Sequence, residues 1–110
     1  MSHLLVFTTL PDLASARKLA GILVDARLAA CISIGAPVES LYHWRGSVET
    51  SAEVPLSIKT RVDRFDDLAA AIRAAHPYEL PEIIAVPITA ASADYLAWID
   101  AEIAPTPSAG

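Results

Sequence analysis

The sequence predicts an α+β fold, in which a single antiparallel sheet of order βαββαβ carries its helices on one face and an extra helix follows at the C-terminal end. Three observations predict it. Short apolar or alternating runs flank two stretches of helical spacing, a long pair of alternating runs meets at Arg45-Gly46, and a third helical stretch follows the last apolar run.

The first element is residues 3–9 (HLLVFTT), an apolar, partly β-branched run ended by Leu10-Pro11-Asp12, as in a buried strand followed by a turn. Asp12 is placed to cap a helix on which Ala16, Leu19, Ala20 and Leu23 recur at i, i+3, i+4, i+7, ending near Arg27. Residues 30–44 alternate on both sides of Gly35 and Pro37. Val38, Ser40, Tyr42 and Trp44 share one face and Glu39, Leu41, His43 and Arg45 the other, which predicts one long strand bent or bulged at 35–37. Arg45-Gly46-Ser47 supplies a turn. Val54, Leu56 and Ile58 then alternate with Glu53, Pro55, Ser57 and Lys59, completing a long hairpin between the second and third predicted strands with an edge left unpaired at Pro55.

Asp63 is predicted to cap the second helix, with Asp66 and Asp67 in the first turn and Phe65, Leu68, Ala69 and Ile72 at helical spacing. Pro77 stops it. Residues 83–88 (IIAVPI) form a continuous apolar run, which predicts an interior strand covered on both faces. Ser92 caps a last helix carrying Leu96, Ile99 and Ile103. The order is the split βαβ, or ferredoxin-like, pattern. It assigns residues 1–104 to one domain and 105–110 to a flexible tail.

At 110 residues the chain has room for one compact core. The apolar fraction of 54% is high for a soluble domain of this size, and an obligate oligomer accounts for it by burying some of that surface between chains. The apolar and aromatic residues of the hairpin point the same way. No window approaches the roughly 20 apolar residues of a membrane span, and residues 1–10 lack the pattern of a secretory leader. No membrane association is expected, and the expected location is the cytoplasm. A net charge of −5 with scattered basic residues argues against a nucleic-acid partner. The single cysteine, Cys31, excludes an intrachain disulfide framework.

Residues 76–82 (HPYELPE) combine two prolines, which stiffen a connection, with an imidazole, a phenol and two carboxylates. This is either one wall of a ligand pocket or a structural turn in which His76 caps its helix and Tyr78 packs. Tyr42 and Trp44 share a strand face that Lys59 can join from the neighbouring strand. Lys59 and Glu82 are therefore expected together in a polar pocket near a subunit boundary, with Tyr42, Trp44, His76 and Tyr78 around it and a small anionic ligand held against Lys59. The bland alternative, which is favoured, packs the aromatics across a subunit interface and pairs Lys59 with Glu53 or Glu82. Cys31 lies between apolar Ala30 and Ile32, where a lone thiol is more often a small buried hydrophobe than a ligand. A metal there needs further donors, from His76, a carboxylate such as Glu82, or other chains. His3 and His43 are expected at the surface.

Four stretches carry a resemblance: residues 28–31 (LAAC), 41–46 (LYHWRG), 53–60 (EVPLSIKT) and 76–84 (HPYELPEII), with Tyr95-Leu96-Ala97-Trp98 near the end. In order and spacing they resemble the CutA, or divalent cation tolerance, family over nearly the whole chain. Two departures are the Ala91-Ser92 that stands where the family commonly has Gly-Asn, and Ser33 where Asn is common. The resemblance implies a ferredoxin-like subunit in a tight homotrimer, an architecture like that of the PII signalling proteins, and binding of divalent metals such as copper, with Cys31 matching a family cysteine discussed as a copper ligand. It implies no required cofactor.

A regulatory trimer that binds a small molecule or anion, with no physiological role for metal, is the alternative. An enzyme is not expected. His76 and Glu82 have no accompanying nucleophile, and a hydrolase of the acylphosphatase kind on this fold needs a water-orienting Asn, a residue the chain does not contain. An RNA-recognition module is opposed by the acidic balance and by the lack of its strand motif.

Overall fold

The computed structural model describes residues 2–105, so that of the predicted tail, 105–110, only Pro105 is among the described residues. The elements are β1 (His3–Leu10), α1 (Leu13–Asp25), β2 (Cys31–Ile34), β3 (Val38–Trp44), β4 (Ser47–Arg61), α2 (Phe65–Ala75), β5 (Ile84–Pro87) and α3 (Ala93–Glu102). All strand pairs are antiparallel, in the order β2-β4-β1-β5, with β3 pairing the far half of β4. This is the α+β, ferredoxin-like arrangement predicted.

The predicted long strand at 30–44 is two strands, and the reason lies at Gly35. Its N–H donates to the carbonyl of Pro55 at 2.9 Å, and a Cβ on Gly35 would stand 2.9 Å from Pro55 Cγ. Pro55 has no N–H to return, so the ladder breaks where only glycine permits the approach. β2 pairs β4 before the break and β3 pairs it after, with Ile34 opposite Leu56 and Val38 opposite Glu53. At the other end Trp44 faces Ser47, and Arg45 and Gly46, at φ 52° and 85°, form the two-residue turn whose twist suits a hairpin.

Register separates the two faces of the sheet. Val6, Thr8 and Leu10 face Ile58, Leu56 and Val54, and all six are buried, most of them beneath α1 and α2 with Leu19, Leu23, Leu68 and Ile72. These side chains are the core, and truncating any one of the large ones costs about 2–5 kcal/mol. Asp12 caps α1 through Ser15 N–H at 2.7 Å, and Ser92 caps α3 through Tyr95 N–H, both as predicted. Asp63 does not cap α2. It sits in a 3-10 turn, Val62–Arg64, where its carboxylate accepts from both Nε and Nη2 of Arg61 in a charge-assisted pair, and the N-cap position of α2 falls at Arg64.

On the second face Leu5 and Phe7 lie beside Val86 and Ile84. β5 is an edge strand of the single chain, paired only with β1, and Ile84 and Val86 remain 55% and 44% exposed, so residues 83–88 are not an interior strand covered on both sides. α3 meets this face where β1 begins. Asp100 accepts from His3 Nε2 at 2.8 Å and lies 3.8 Å from Nη1 of Arg61, the residue opposite His3. His3, expected at the surface, is only 7% exposed for this reason.

Candidate functional site

Where β1 stops at Leu10, β4 continues beyond the sheet with β3 as a two-stranded arm, and the segment following α2 folds back against its base. The space between is a cleft of about 790 Å³. Thr9, Ser40 and Glu53 lie at its floor, Tyr42 and Trp44 along the arm, and Tyr78, Glu79 and Glu82 on the returning segment.

Glu53 organises the floor. Only 8% of it is exposed, yet its Oε2 accepts from Thr9 Oγ1 at 2.9 Å and from the Tyr78 hydroxyl at 3.1 Å. Burial alone would raise the Glu53 carboxyl, but hydrogen bonds from Ser40, Thr9 and Tyr78 and the nearby His76 reverse that and hold it below the ordinary 4.5. Tyr78 moves the other way. Burial, then the hydrogen bond to Glu53 and its charge, push the phenol up from 10.0 to about 12, so it stays a donor.

His76 is locked. Its Nδ1 accepts from the backbone N–H of Tyr78 at 3.1 Å, which leaves Nε2 to carry the proton donated to the Thr9 carbonyl at 2.7 Å. Both ring nitrogens are spent on holding the segment to the end of β1, and neither offers a lone pair to a metal. Pro77 follows directly, so the helix ends at Ala75 and the two contacts of His76 fix the direction of exit.

Cys31, His76 and Glu82 do not form a metal site within the chain. Among the described residues no group of three or more His, Cys, Asp or Glu side chains is arranged to hold an ion. Cys31 lies on β2 opposite Lys59, with Lys59 Nζ 3.9 Å from its sulfur, and an ammonium beside a thiol repels a cation. Lys59 is likewise not in the cleft. It does face away from α1 and α2, as its place in the alternation predicts, but it lies six residues (53 to 59) along β4 from Glu53, roughly 20 Å at the rise of a strand. The Lys59–Glu82 pairing expected from the sequence is therefore absent within the chain. Tyr42, Trp44, Tyr78 and Glu82 do share the cleft.

Thr9 and Ser40 were not singled out by sequence reasoning, and Glu53 entered it only as a possible partner of Lys59, on the polar side of the β4 alternation. The available signal was its place at the head of EVPLSIKT, directly before the apolar set begins. A model of the family described as CutA1 divalent ion tolerance protein matches residues 4–102. The chain belongs to that family. A divalent-cation tolerance protein CutA from Pectobacterium atrosepticum is 36% identical over 98 residues, covering 89% of each chain. A chloroplastic CutA 1 of Oryza sativa is 41% identical over 96 residues, 87% of this chain, which spans 54% of that longer protein. Among solved structures, CutA1 from Oryza sativa superposes with a TM-score of 0.94 at 37% identity, over 96% of this chain and 97% of that one. CutA from Xylella fastidiosa gives 0.91 at 40%, over 94% and 100%.

Proposed function

We propose that this CutA-family chain works as a homotrimeric, non-enzymatic binding and regulatory module of the PII-like kind, taking up divalent cations, copper among them, with donors from more than one subunit. The observation that carries this reading is the arm. Residues 47–52 of β4 pair with β3 alone, both outer edges of the arm are open, and Leu41, Val48, Val38, Tyr42 and Trp44 are 38–66% exposed. Open edges bearing apolar side chains invite pairing with another chain. Ile84 and Val86 on the second face of the sheet add further exposed apolar surface.

The chemistry of the cleft supports a binding role over an enzymatic one. A general acid or base operates near neutral pH, whereas Glu53 is held low and Tyr78 high, each fixed in one protonation state. With His76 committed through both ring nitrogens and Cys31 beside Lys59, the donors left for a shared cation are exposed carboxylates such as Glu82, brought together from more than one chain. Light scattering tests the assembly. A mass of three times the 11.7 kDa chain is expected, and Leu41→Asp with Val48→Asp should lower it without unfolding the core. A wild-type monomer at micromolar concentration would refute the proposal.

A further inference from the structure

The second face of the sheet carries a group of hydrogen-bond donors with nothing to receive them. Register sets Ser33 opposite Ser57 and Cys31 opposite Lys59, so β2 and β4 present these side chains in two adjacent rows on the face turned away from α1 and α2. Neighbours across the ladder stand roughly 5 Å apart and successive rows roughly 7 Å, within the span of a lysine stem. β1 adds Leu5 opposite Lys59 and Phe7 opposite Ser57, both half-buried, as an apolar wall on one side.

The fold does not use these polar groups. Among the described residues Lys59 forms no ion pair and neither serine hydroxyl has a hydrogen-bond partner, while the ammonium has only the Cys31 sulfur, a weak acceptor, at 3.9 Å. Asp63 and Asp100, at the Arg61 end of the strand, are engaged by Arg61 and His3, and Glu53 lies in the cleft at the other end. In a chain of net charge −5 this patch is therefore locally positive. Lys59 is also half-buried, so its charge is less screened than that of a lysine in open water, and a counter-ion there gains accordingly.

We infer that this patch binds a phosphate-type oxyanion, free or as a phosphomonoester, with Lys59 Nζ supplying the charge and the Ser57 and Ser33 hydroxyls donating to its other oxygens. A tetrahedral oxyanion offers a separate oxygen to each of three donors, whereas a carboxylate has two. The site goes beyond the assembly proposed above, because all its groups belong to one chain and β1 separates them from the exposed Ile84 and Val86 on β5.

Inorganic phosphate is the probe, with glycerol 3-phosphate as the phosphomonoester, acetate as the planar anion and sodium chloride to match ionic strength. Calorimetry at neutral pH should show phosphate saturating one site per chain with a Kd below about 1 mM, and acetate at least about tenfold weaker. Glycerol 3-phosphate binding more tightly than phosphate assigns the site to an organic phosphate, and the reverse order assigns it to the free anion. Lys59→Met should weaken phosphate about tenfold or more, and Ser33→Ala with Ser57→Ala together about tenfold. Because these side chains have no partner in the chain, melting curves recorded without phosphate should be unchanged, and light scattering on the same samples separates loss of the anion from loss of the assembly. No saturation by phosphate below about 10 mM, acetate binding as tightly, or an unaltered affinity in Lys59→Met would each overturn the inference. A wild type that ignores phosphate while Lys59→Met lowers the assembled mass would overturn it too, and would give the ammonium to a carboxylate of a second copy.

Discussion

The Tyr78 hydroxyl donates to Glu53 Oε2 at 3.1 Å, joining the segment after α2 to the base of the arm across 25 positions of sequence. This bond ties two titrations to one structure, and each has its own sign. Glu53 is held below its ordinary 4.5, so it contributes stability that is present above that value and lost as pH falls through its lower folded value. Tyr78 is raised to about 12, so its contribution is present below 10.0 and lost as pH rises towards 12. Thermal melts of the wild type should fall at both extremes. Glu53→Gln should flatten the acid limb and Tyr78→Phe the alkaline limb. An unchanged acid limb in Glu53→Gln would show that the carboxylate is not the group responsible.

Two glycine substitutions should move stability in opposite directions. Gly35→Ala drives a methyl against Pro55 Cγ at 2.9 Å, and a cost of about 1–3 kcal/mol is expected, relieved when Pro55→Ala is added. Gly21 lies inside α1 with nothing within 4 Å of an added Cβ, so Gly21→Ala should stabilise by up to about 1 kcal/mol. Denaturant titration of the three variants measures both, and a neutral Gly35→Ala would mean that the crossing at Pro55 is looser than the geometry indicates.

The contact between His3 and Asp100 should be worth more than the Arg27–Glu102 ion pair, which also tethers α3. His3 is 7% exposed, while Arg27 and Glu102 are 60% and 41% exposed at 3.1 Å. A double-mutant cycle on His3→Ala and Asp100→Ala should give a coupling of about 1 kcal/mol or more, and one on Arg27→Ala and Glu102→Ala about half that or less. Equal couplings would place the docking of α3 on its apolar residues Ile99 and Ile103 instead.

Cys31 should not be the dominant copper donor, because Lys59 Nζ stands 3.9 Å from its sulfur. Stoichiometric copper binding measured by calorimetry should persist in Cys31→Ala. Its loss, with the assembly intact, would assign the metal to this thiol.

Most of the fold was legible because its signals are local. Asp12 and Ser92 cap helices through their own sequence neighbours, and Arg45-Gly46 sets the hairpin turn by backbone conformation alone. Failures had two causes. Asp63 reads as a helix cap although a neighbour only two residues away, Arg61, engages its carboxylate, and His3 reads as a surface residue because the Asp100 that covers it is 97 positions distant. The site followed the same rule. Tyr42, Trp44, Tyr78 and Glu82 were expected together, and line one cleft, because aromatics on a strand and a proline-stiffened segment are conspicuous in sequence. Lys59 was misplaced because alternation gives the face of a residue but not its distance along the strand, and Glu53 was weighed only as a partner for Lys59 because nothing local announces that Thr9 and Tyr78 will converge on it.

β4 is 15 residues long, about 45 Å end to end at the rise of a strand, and so runs nearly the whole 46 Å of the molecule's longest dimension. One uninterrupted strand therefore serves two masters in series: its second half is woven into the core, and its first half stands outside it. The junction at Gly35 and Pro55 makes the arm a module that can be grafted. Exchanging residues 38–53 between two family members should change which chains recognise each other while leaving each host's melting behaviour largely its own. Natural variation along β4 is then subject to two separate pressures, and a tolerant position near Val48 and an intolerant one at Ile58 report on different traits of the same protein.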